Sequence, residues 1–126
     1  MRHEASSYVD KAKSDLMTMD ILRSYEEYPK DSLCFHAQQY AEKMIKAKLA
    51  DMGIPPSKTH DLVLLLEAFP DSPEIQRAIE IASELGAYAV DVRYPGVKAV
   101  RISEEEAEIA YESAIEIPYL IGLYQR

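Results

Sequence analysis

The sequence predicts an all-α protein, an up-and-down antiparallel bundle of about five helices, four of them long and one short. Apolar residues recur at steps of three and four residues over several long stretches, which is the spacing of an amphipathic helix. Strand-like alternation is nowhere sustained, and the consecutive β-branched runs that a buried parallel sheet needs are missing. Short connections between long helices favour antiparallel neighbours. The 126 residues are enough for one domain with one core, which we expect to span residues 1–126.

Each predicted helix starts at a short polar side chain that can accept a hydrogen bond from the first turn. The expected starts, in chain order, are Ser6 or Ser7, Asp31 or Ser32, Ser57 or Thr59, Ser72, and Ser103. The first three helices are expected to stop at Pro29, Gly53 and Pro70, in that order. The fourth is expected to continue through Gly86 and end at about Asp91. Ser103 and Glu106 form a capping box, and Pro118 should kink the last helix. Residues 92–102 lack helical spacing and are expected to form an extended loop.

Composition and charge exclude several classes of protein. The opening residues lack the apolar core of a signal peptide, and no later apolar run reaches the ~20 residues needed to cross a bilayer. We therefore expect a cytoplasmic protein without membrane contact. The single cysteine, Cys34, cannot form an internal disulfide. The net charge of −8 argues against generic nucleic-acid binding, because affinity for phosphate backbones comes mainly from clustered Lys and Arg.

A polar stripe on the second predicted helix is the main candidate binding site. Its members step by three and four residues, and they are His36, Gln39, Lys43 and Lys46. At 100° per residue they fall within an arc of about 80° beside the apolar face. Each side chain can donate hydrogen bonds to anionic oxygen, so the stripe is a candidate nucleotide or phosphate site. The alternative is a solvated or dimer-facing helix edge.

A second group of candidates lies further along the chain and consists of His60, Asp61, Tyr88, Asp91 and Tyr94. The positive end of a helix dipole explains Asp61, whereas nothing obvious explains His60. Capping or packing is the alternative role for both residues. Near the Pro-Gly turn that follows Tyr94, an Asp91–Arg93 contact stabilising the turn is the alternative to ligand binding.

Patterns typical of metal and cofactor sites are absent from the sequence. It contains no Gly-rich phosphate loop, no paired Cys and no two His residues at metal-ligand spacing. The run Glu104 to Glu106 lies at a predicted helix start, where the helix dipole explains the acids better than glycosidase chemistry does. We therefore expect no metal, no cofactor and no catalytic residues of these types.

Three linked motifs resemble those of the HEPN domain family. They are CFHAQQYAEKMIKA at residues 34–47, KTHDL at residues 58–62 and YAVDVRYPG at residues 88–96, and residues 103–117 resemble the family's closing helix. Their order and gaps match as well, so the resemblance covers nearly the whole chain. It implies a bundle related to the C-terminal helical domain of kanamycin nucleotidyltransferase, usually dimeric and often encoded beside a small nucleotidyltransferase.

The resemblance also implies two competing functions. Many HEPN proteins are metal-independent RNases, commonly toxins of toxin–antitoxin pairs, with an Arg followed a few residues later by a His near the start of the last helix. Arg93 matches that Arg, but no His follows it in the sequence. The expected general acid and base of the RNase reaction is therefore missing, and an RNase would need His36 or His60 near Arg93 instead.

We therefore expect a non-catalytic HEPN-like protein that dimerises and binds a nucleotide, a small nucleotidyltransferase, or both. Arg93 is expected to join the stripe in contacting the nucleotide. The alternatives are an RNase with a displaced His and a purely structural interaction domain. We expect a homodimer, with the second or the last helix in the interface, because the chain has more large apolar side chains than one small core needs. The residues behind this expectation are Leu33, Phe35, Tyr40, Tyr119 and Tyr124.

Overall fold

The computed structural model describes residues 1–88 and 101–125, and within them the protein is helical with no strand. The five helices are α1 (His3–Arg23), α2 (Lys30–Asp51), α3 (Leu62–Leu66), α4 (Pro73–Leu85) and α5 (Glu104–Leu120). A short 3₁₀ turn, Gly86–Tyr88, follows α4. Four helices are long and α3 is short, which confirms the predicted all-α bundle.

Contacts between helix ends show the up-and-down arrangement. The backbone N–H of Arg2, just before α1, donates to Asp51 Oδ1 at the end of α2, over 3.1 Å. The end of α1 lies beside the start of α5, where the guanidinium of Arg23 makes two hydrogen bonds to the carboxylate of Glu108. Helix α1 is therefore antiparallel to both α2 and α5.

Two helix starts form as the sequence predicts. Ser72 Oγ accepts a hydrogen bond from the backbone N–H of Ile75 at 3.0 Å. Pro73, the next residue, is the first residue of α4. Ser103 and Glu106 form the predicted capping box at α5, each side chain bonded to the other residue's backbone N–H. Both caps are local contacts over three residues, so the sequence pattern is enough to predict them.

The other three starts differ from the prediction. Helix α1 begins at His3, before Ser6, and its cap residue makes no side-chain hydrogen bond. Helix α2 begins directly after Pro29, also without a side-chain cap. Helix α3 begins directly after Asp61, whose Oδ1 accepts from a backbone N–H of the first turn. Exposed first-turn N–H groups can bond to water, so a helix can begin ahead of its best capping residue.

Helix ends agree only in part with the prediction. Gly53 follows α2 in the left-handed region with φ 78°, the conformation that makes glycine a helix stop. Helix α4 ends at Leu85, so its predicted continuation through Gly86 is wrong, since the chain tightens into the 3₁₀ turn at this glycine. Asp91, near which this helix was predicted to end, lies outside the described residues. Pro118 lies in the last turn of α5, and the helix ends two residues later.

Helix α2 lies at the centre of the bundle and packs against α1, α3, α4 and α5. Leu33 and Tyr40, which we expected to add apolar surface for a dimer, are instead buried in this core. The buried polar and charged residues of the described chain are Asp15, Gln38, Glu42 and Lys46. Among the helices of the described residues, none has the length and apolarity to cross a membrane.

Candidate functional site

The first polar cluster joins α1 to α2 through the buried carboxylate of Asp15. Asp15 Oδ1 lies 2.8 Å from His36 Nδ1, and Oδ2 lies 2.5 Å from Lys43 Nζ. An ionised carboxylate only accepts hydrogen bonds, so the proton of the neutral His36 ring lies on Nδ1 and donates to Asp15. The side chains of His36 and Lys43 are 27% and 25% exposed. We call these three residues the Asp15 cluster.

The second polar cluster has the buried carboxylate of Glu42 at its centre. Glu42 Oε1 lies 2.9 Å from His60 Nδ1, and Oε2 lies 3.2 Å from Lys46 Nζ. The buried amide of Gln38 donates to the carbonyl oxygen of His60 at 3.1 Å and fixes the backbone ahead of α3. The side chain of Lys46 is only 10% exposed, whereas that of His60 is 69% exposed. We call these four residues the Glu42 cluster.

Gln39 lies on α2 between the two clusters. Its Nε2 donates to Gln38 Oε1 at 2.8 Å, and Gln38 in turn lies 3.4 Å from Glu42 Oε1. At 100° per residue, the six polar residues from His36 to Lys46 span an arc of about 160°. We call this arc the polar face of α2, and it consists of His36, Gln38, Gln39, Glu42, Lys43 and Lys46.

Charge is closely balanced across the polar face and Asp15. Two carboxylates face two ammonium groups at hydrogen-bonding distance. Taking such ions out of water costs several kcal/mol each, and only close pairing with further hydrogen bonds offsets that cost. Within the described residues, every buried side-chain nitrogen and oxygen has a hydrogen-bond partner. Lys43 and Lys46 therefore form a weaker positive patch than the sequence alone predicts, since each one faces a carboxylate.

The residue spacing on α2 predicted the stripe but not the two carboxylates that organise it. All four stripe residues lie on the polar face, so the structure brings them together as their spacing predicted. Asp15 has the helical phase of Ala12 and Met19, which are buried on α1, and Glu42 lies one turn before the buried Ile45. A charged residue in the apolar phase of a helix was the available signal.

His60 and Asp61 both have identified partners in the structure. Asp61 Oδ1 accepts from the backbone N–H of Leu64 at 3.2 Å, so capping accounts for this carboxylate. His60 is accounted for by Glu42, a contact that sequence spacing did not reveal. Both residues line a cavity of about 470 Å³. The other residues lining it are Thr59, Leu62, Val63, Ala82, Ser83 and Gly86.

Tyr88 lies in a different cavity from the polar face. This cavity of about 350 Å³ is lined by residues of α4 and α5 together with Tyr88. Burial raises the pKa of the Tyr88 phenol above its usual value. The remaining candidates, Asp91, Arg93 and Tyr94, lie outside the described residues. Across residues 1–88 and 101–125, no group of three or more His, Cys, Asp and Glu residues has the geometry to hold a metal ion.

Known proteins share both the sequence pattern and the fold. The HEPN domain family matches residues 5–121. This chain belongs to the HEPN domain family. The family match spans all five helices and confirms the resemblance of the motifs at residues 34–47 and 58–62. Both polar clusters of this HEPN protein lie inside the matched region.

Two solved structures have the same fold as this HEPN protein. TT1696 from Thermus thermophilus has a TM-score of 0.81 and 25% identity, covering 97% of this chain and 98% of its own. ST0689, an archaeal HEPN homologue, has a TM-score of 0.74 and 24% identity, covering 97% of each chain. No curated protein matches this chain significantly.

Proposed function

We propose that this HEPN protein is a homodimer that binds a nucleotide on the polar face of α2 and works with a small nucleotidyltransferase. The observation that carries the proposal is the pair of hydrogen-bonded polar clusters, with Gln39 between them, on the central helix. An apolar face at this position would stabilise the bundle at least as well, because buried ion pairs are often no more stabilising than the hydrophobic residues that can replace them. Groups that are costly to bury and linked by hydrogen bonds are typical of binding and catalytic sites.

The proposed binding mode uses donors that the internal contacts leave available. An ammonium group has three N–H donors, and the contact of Lys43 with Asp15 uses one of them. Gln39 lies beside Lys43 on the same arc and is partly exposed. A phosphate that bridges these two side chains gains charge-assisted hydrogen bonds without displacing the carboxylate. Arg93, which lies outside the described residues, is proposed to contact the same phosphate.

Titration calorimetry with ATP, GTP and their diphosphates tests the nucleotide site. Lys43→Gln is expected to weaken binding about ten- to a hundredfold, which corresponds to the loss of one charge-assisted hydrogen bond of ~1.5–3 kcal/mol. Lys11→Gln, the same substitution at an exposed position of α1, is the matched control and is expected to bind like the wild type. Circular dichroism of each variant separates lost binding from lost folding.

The outcomes separate the proposal from a purely structural role. If no nucleotide binds below millimolar concentration, or if Lys11→Gln weakens binding as much as Lys43→Gln, the polar face is a structural element and the nucleotide site is wrong. Co-purification with a nucleotidyltransferase encoded beside the gene tests the partner independently. Absence of such a neighbouring gene and of co-purification contradicts that part of the proposal.

A second candidate function, metal-independent RNA cleavage, has one observation in its favour. Glu42 holds Nδ1 of His60, and the His60 ring is largely exposed. With its Nδ1 proton donated to the carboxylate, neutral His60 has an unprotonated Nε2 that can accept a proton. In this reaction Nε2 accepts the 2′-hydroxyl proton as that oxygen attacks the neighbouring phosphorus, with Arg93 stabilising the phosphorane. The bond from phosphorus to the 5′-oxygen then breaks, and His60 returns the proton to that oxygen, which leaves a 2′,3′-cyclic phosphate and a free 5′-hydroxyl.

Cleavage of a fluorescent RNA in EDTA separates this function from the first. Our leading proposal predicts that wild-type protein cleaves no faster than Arg93→Ala, because the His that should follow Arg93 is absent. Cleavage that is lost in both Arg93→Ala and His60→Ala, and retained in Lys11→Ala, reverses this order and establishes His60 as the displaced acid and base.

A further inference from the structure

The outer side of α1 carries the most continuous exposed apolar surface of the described residues. Met17 and Ile21 lie one turn apart and are each more than half exposed, and Tyr25 follows just beyond the helix. Leu64 on α3 and Ile109 on α5 are also exposed, but each one stands alone on its helix. Scattered apolar residues are normal on a protein surface, whereas a row of them along one helix is typical of an interaction site.

Charges around Met17 have a pattern that is complementary to itself. Lys13 and Asp20 are both exposed, seven residues apart, and therefore on the same flank of α1. Met17 lies near the midpoint between them. Two copies of this helix can pack antiparallel about a two-fold axis at Met17. The same flank of each copy then lies side by side, with the residues of the two copies running in opposite directions. Lys13 of each copy then faces Asp20 of the partner subunit, so both contacts pair opposite charges.

We infer that α1 is the dimer interface of this protein, packed antiparallel against α1 of a second copy with Met17 at the two-fold axis. This inference rests on the homodimer proposed above and names its surface. In this arrangement, Ile21 packs against the aliphatic stem of Lys13 of the partner subunit. The contact of Tyr111 Oη with Asp20 Oδ1, over 2.7 Å, holds the carboxylate on the correct flank. It uses one of the two carboxylate oxygens, and Lys13 of the partner subunit bonds to the other.

The two surfaces that the sequence suggested fit a symmetric contact less well. Helix α2 is mostly buried within its own protomer, so it has little side-chain surface left for a second copy. The exposed side of α5 carries Glu104, Glu105 and Glu112. A two-fold contact there brings like charges together in a protein whose net charge is already −8. Among the described surfaces, the outer side of α1 has both an exposed apolar row and one charge of each sign beside it.

Disulfide cross-linking at the two-fold axis tests this arrangement directly. A residue at the axis lies opposite its own copy, so Met17→Cys is expected to form a covalent dimer under mild oxidation. Leu64→Cys and Ile109→Cys are matched controls, because both place an exposed thiol on another helix. The native Cys34 gives no background, since it is buried and burial raises the pKa of its thiol to about 12. Non-reducing electrophoresis measures the product.

Charge reversal provides a second and independent measurement. Lys13→Glu places like charges opposite each other in both symmetric contacts, and we expect the dimer dissociation constant to rise about tenfold or more. The double variant Lys13→Glu/Asp20→Lys restores opposite charges with the polarity exchanged, so it is expected to recover most of the lost association. Sedimentation equilibrium at micromolar concentration measures all three proteins.

The results distinguish the interface from the dimer itself. A wild-type protein that is monomeric at micromolar concentration overturns the proposed homodimer. A wild-type dimer in which Met17→Cys forms no more cross-link than Leu64→Cys overturns the α1 interface alone. A dimer whose dissociation constant is unchanged by Lys13→Glu also overturns the α1 interface. Cross-linking at Met17 together with rescue in the double variant establishes the antiparallel α1 contact.

Discussion

The Asp15 and Glu42 clusters use the same three chemical groups but differ in how those groups are exposed. Each has a buried carboxylate bonded to a His Nδ1 and to a Lys Nζ. In the Asp15 cluster, His36 and Lys43 lie at the edge of the contact between α1 and α2 and are exposed to a similar extent. In the Glu42 cluster, Lys46 is almost fully buried while His60 extends into solvent. The two clusters therefore show how position decides what one set of groups does.

The difference lies in which elements each carboxylate joins and in which side chain a ligand can still reach, Lys43 in the Asp15 cluster and His60 in the Glu42 cluster. The Asp15 contacts join two helices and span 21 and 28 residues of sequence, so they stabilise the packing of α1 on α2. In the Glu42 cluster, the buried Lys46 balances the carboxylate, and the carboxylate orients an imidazole whose other side remains accessible. Equivalent substitutions in the two clusters are therefore expected to have different effects.

The largest effect is expected from Glu42→Ala. It removes the carboxylate that pairs with Lys46 and leaves a buried ammonium group, which is expected to lower the free energy of unfolding by about 3–5 kcal/mol. Asp15→Ala is expected to cost less, about 1–3 kcal/mol, because its two partners are partly exposed and can turn to water. Urea unfolding followed by circular dichroism measures both values.

Glu80→Ala is the matched control for these substitutions. Glu80 pairs with Arg77 on the exposed side of α4, where removal of a salt bridge changes stability by at most ~1 kcal/mol. A Glu42→Ala variant that is no less stable than Glu80→Ala shows that Lys46 can reach water, and the proposed difference between the clusters then disappears.

Smaller effects are expected from the two histidines, and these sharpen the comparison. His36→Ala removes a contact between two helices and is expected to lower stability by about 1 kcal/mol. His60→Ala is expected to change stability by less than ~0.5 kcal/mol, because the side chain is mostly exposed and Glu42 keeps Lys46 and Gln38 as partners. Thermal and urea unfolding compare the variants. Equal losses at both positions make His60 a structural residue as well.

The sequence predicted many residues of the site but not the contacts that they make. The steps between His36, Gln39, Lys43 and Lys46 predicted a common side of one helix, and the structure confirms it. Their partners were not predictable from the same pattern. Asp15 belongs to another helix, and Glu42 lies on α2 just outside the arc of the stripe. Sequence periodicity indicates the direction of a side chain from its own helix but does not identify what lies opposite.

The same distinction separates the caps that were predicted from the helix starts that were not. Ser72 and Ser103 bond to N–H groups three residues away, and such contacts form in whatever context the segment has. The start of α1 includes the contact of Arg2 with Asp51 at the far end of α2. This contact joins residues 49 positions apart in sequence, so no local pattern could have revealed it.

The sequence by itself determined the helices of this protein, its family and the residues of its polar stripe, because helical spacing, capping and motif order are local properties of the chain. The tertiary structure alone decided which charges meet, which histidine is exposed, and which apolar residues are left at the surface of α1. Those outcomes depend on pairs of residues far apart in sequence, such as Asp15 with Lys43 and His60 with Glu42. Burial strengthens such pairs and makes a missing partner costly, and burial exists only once the helices have packed.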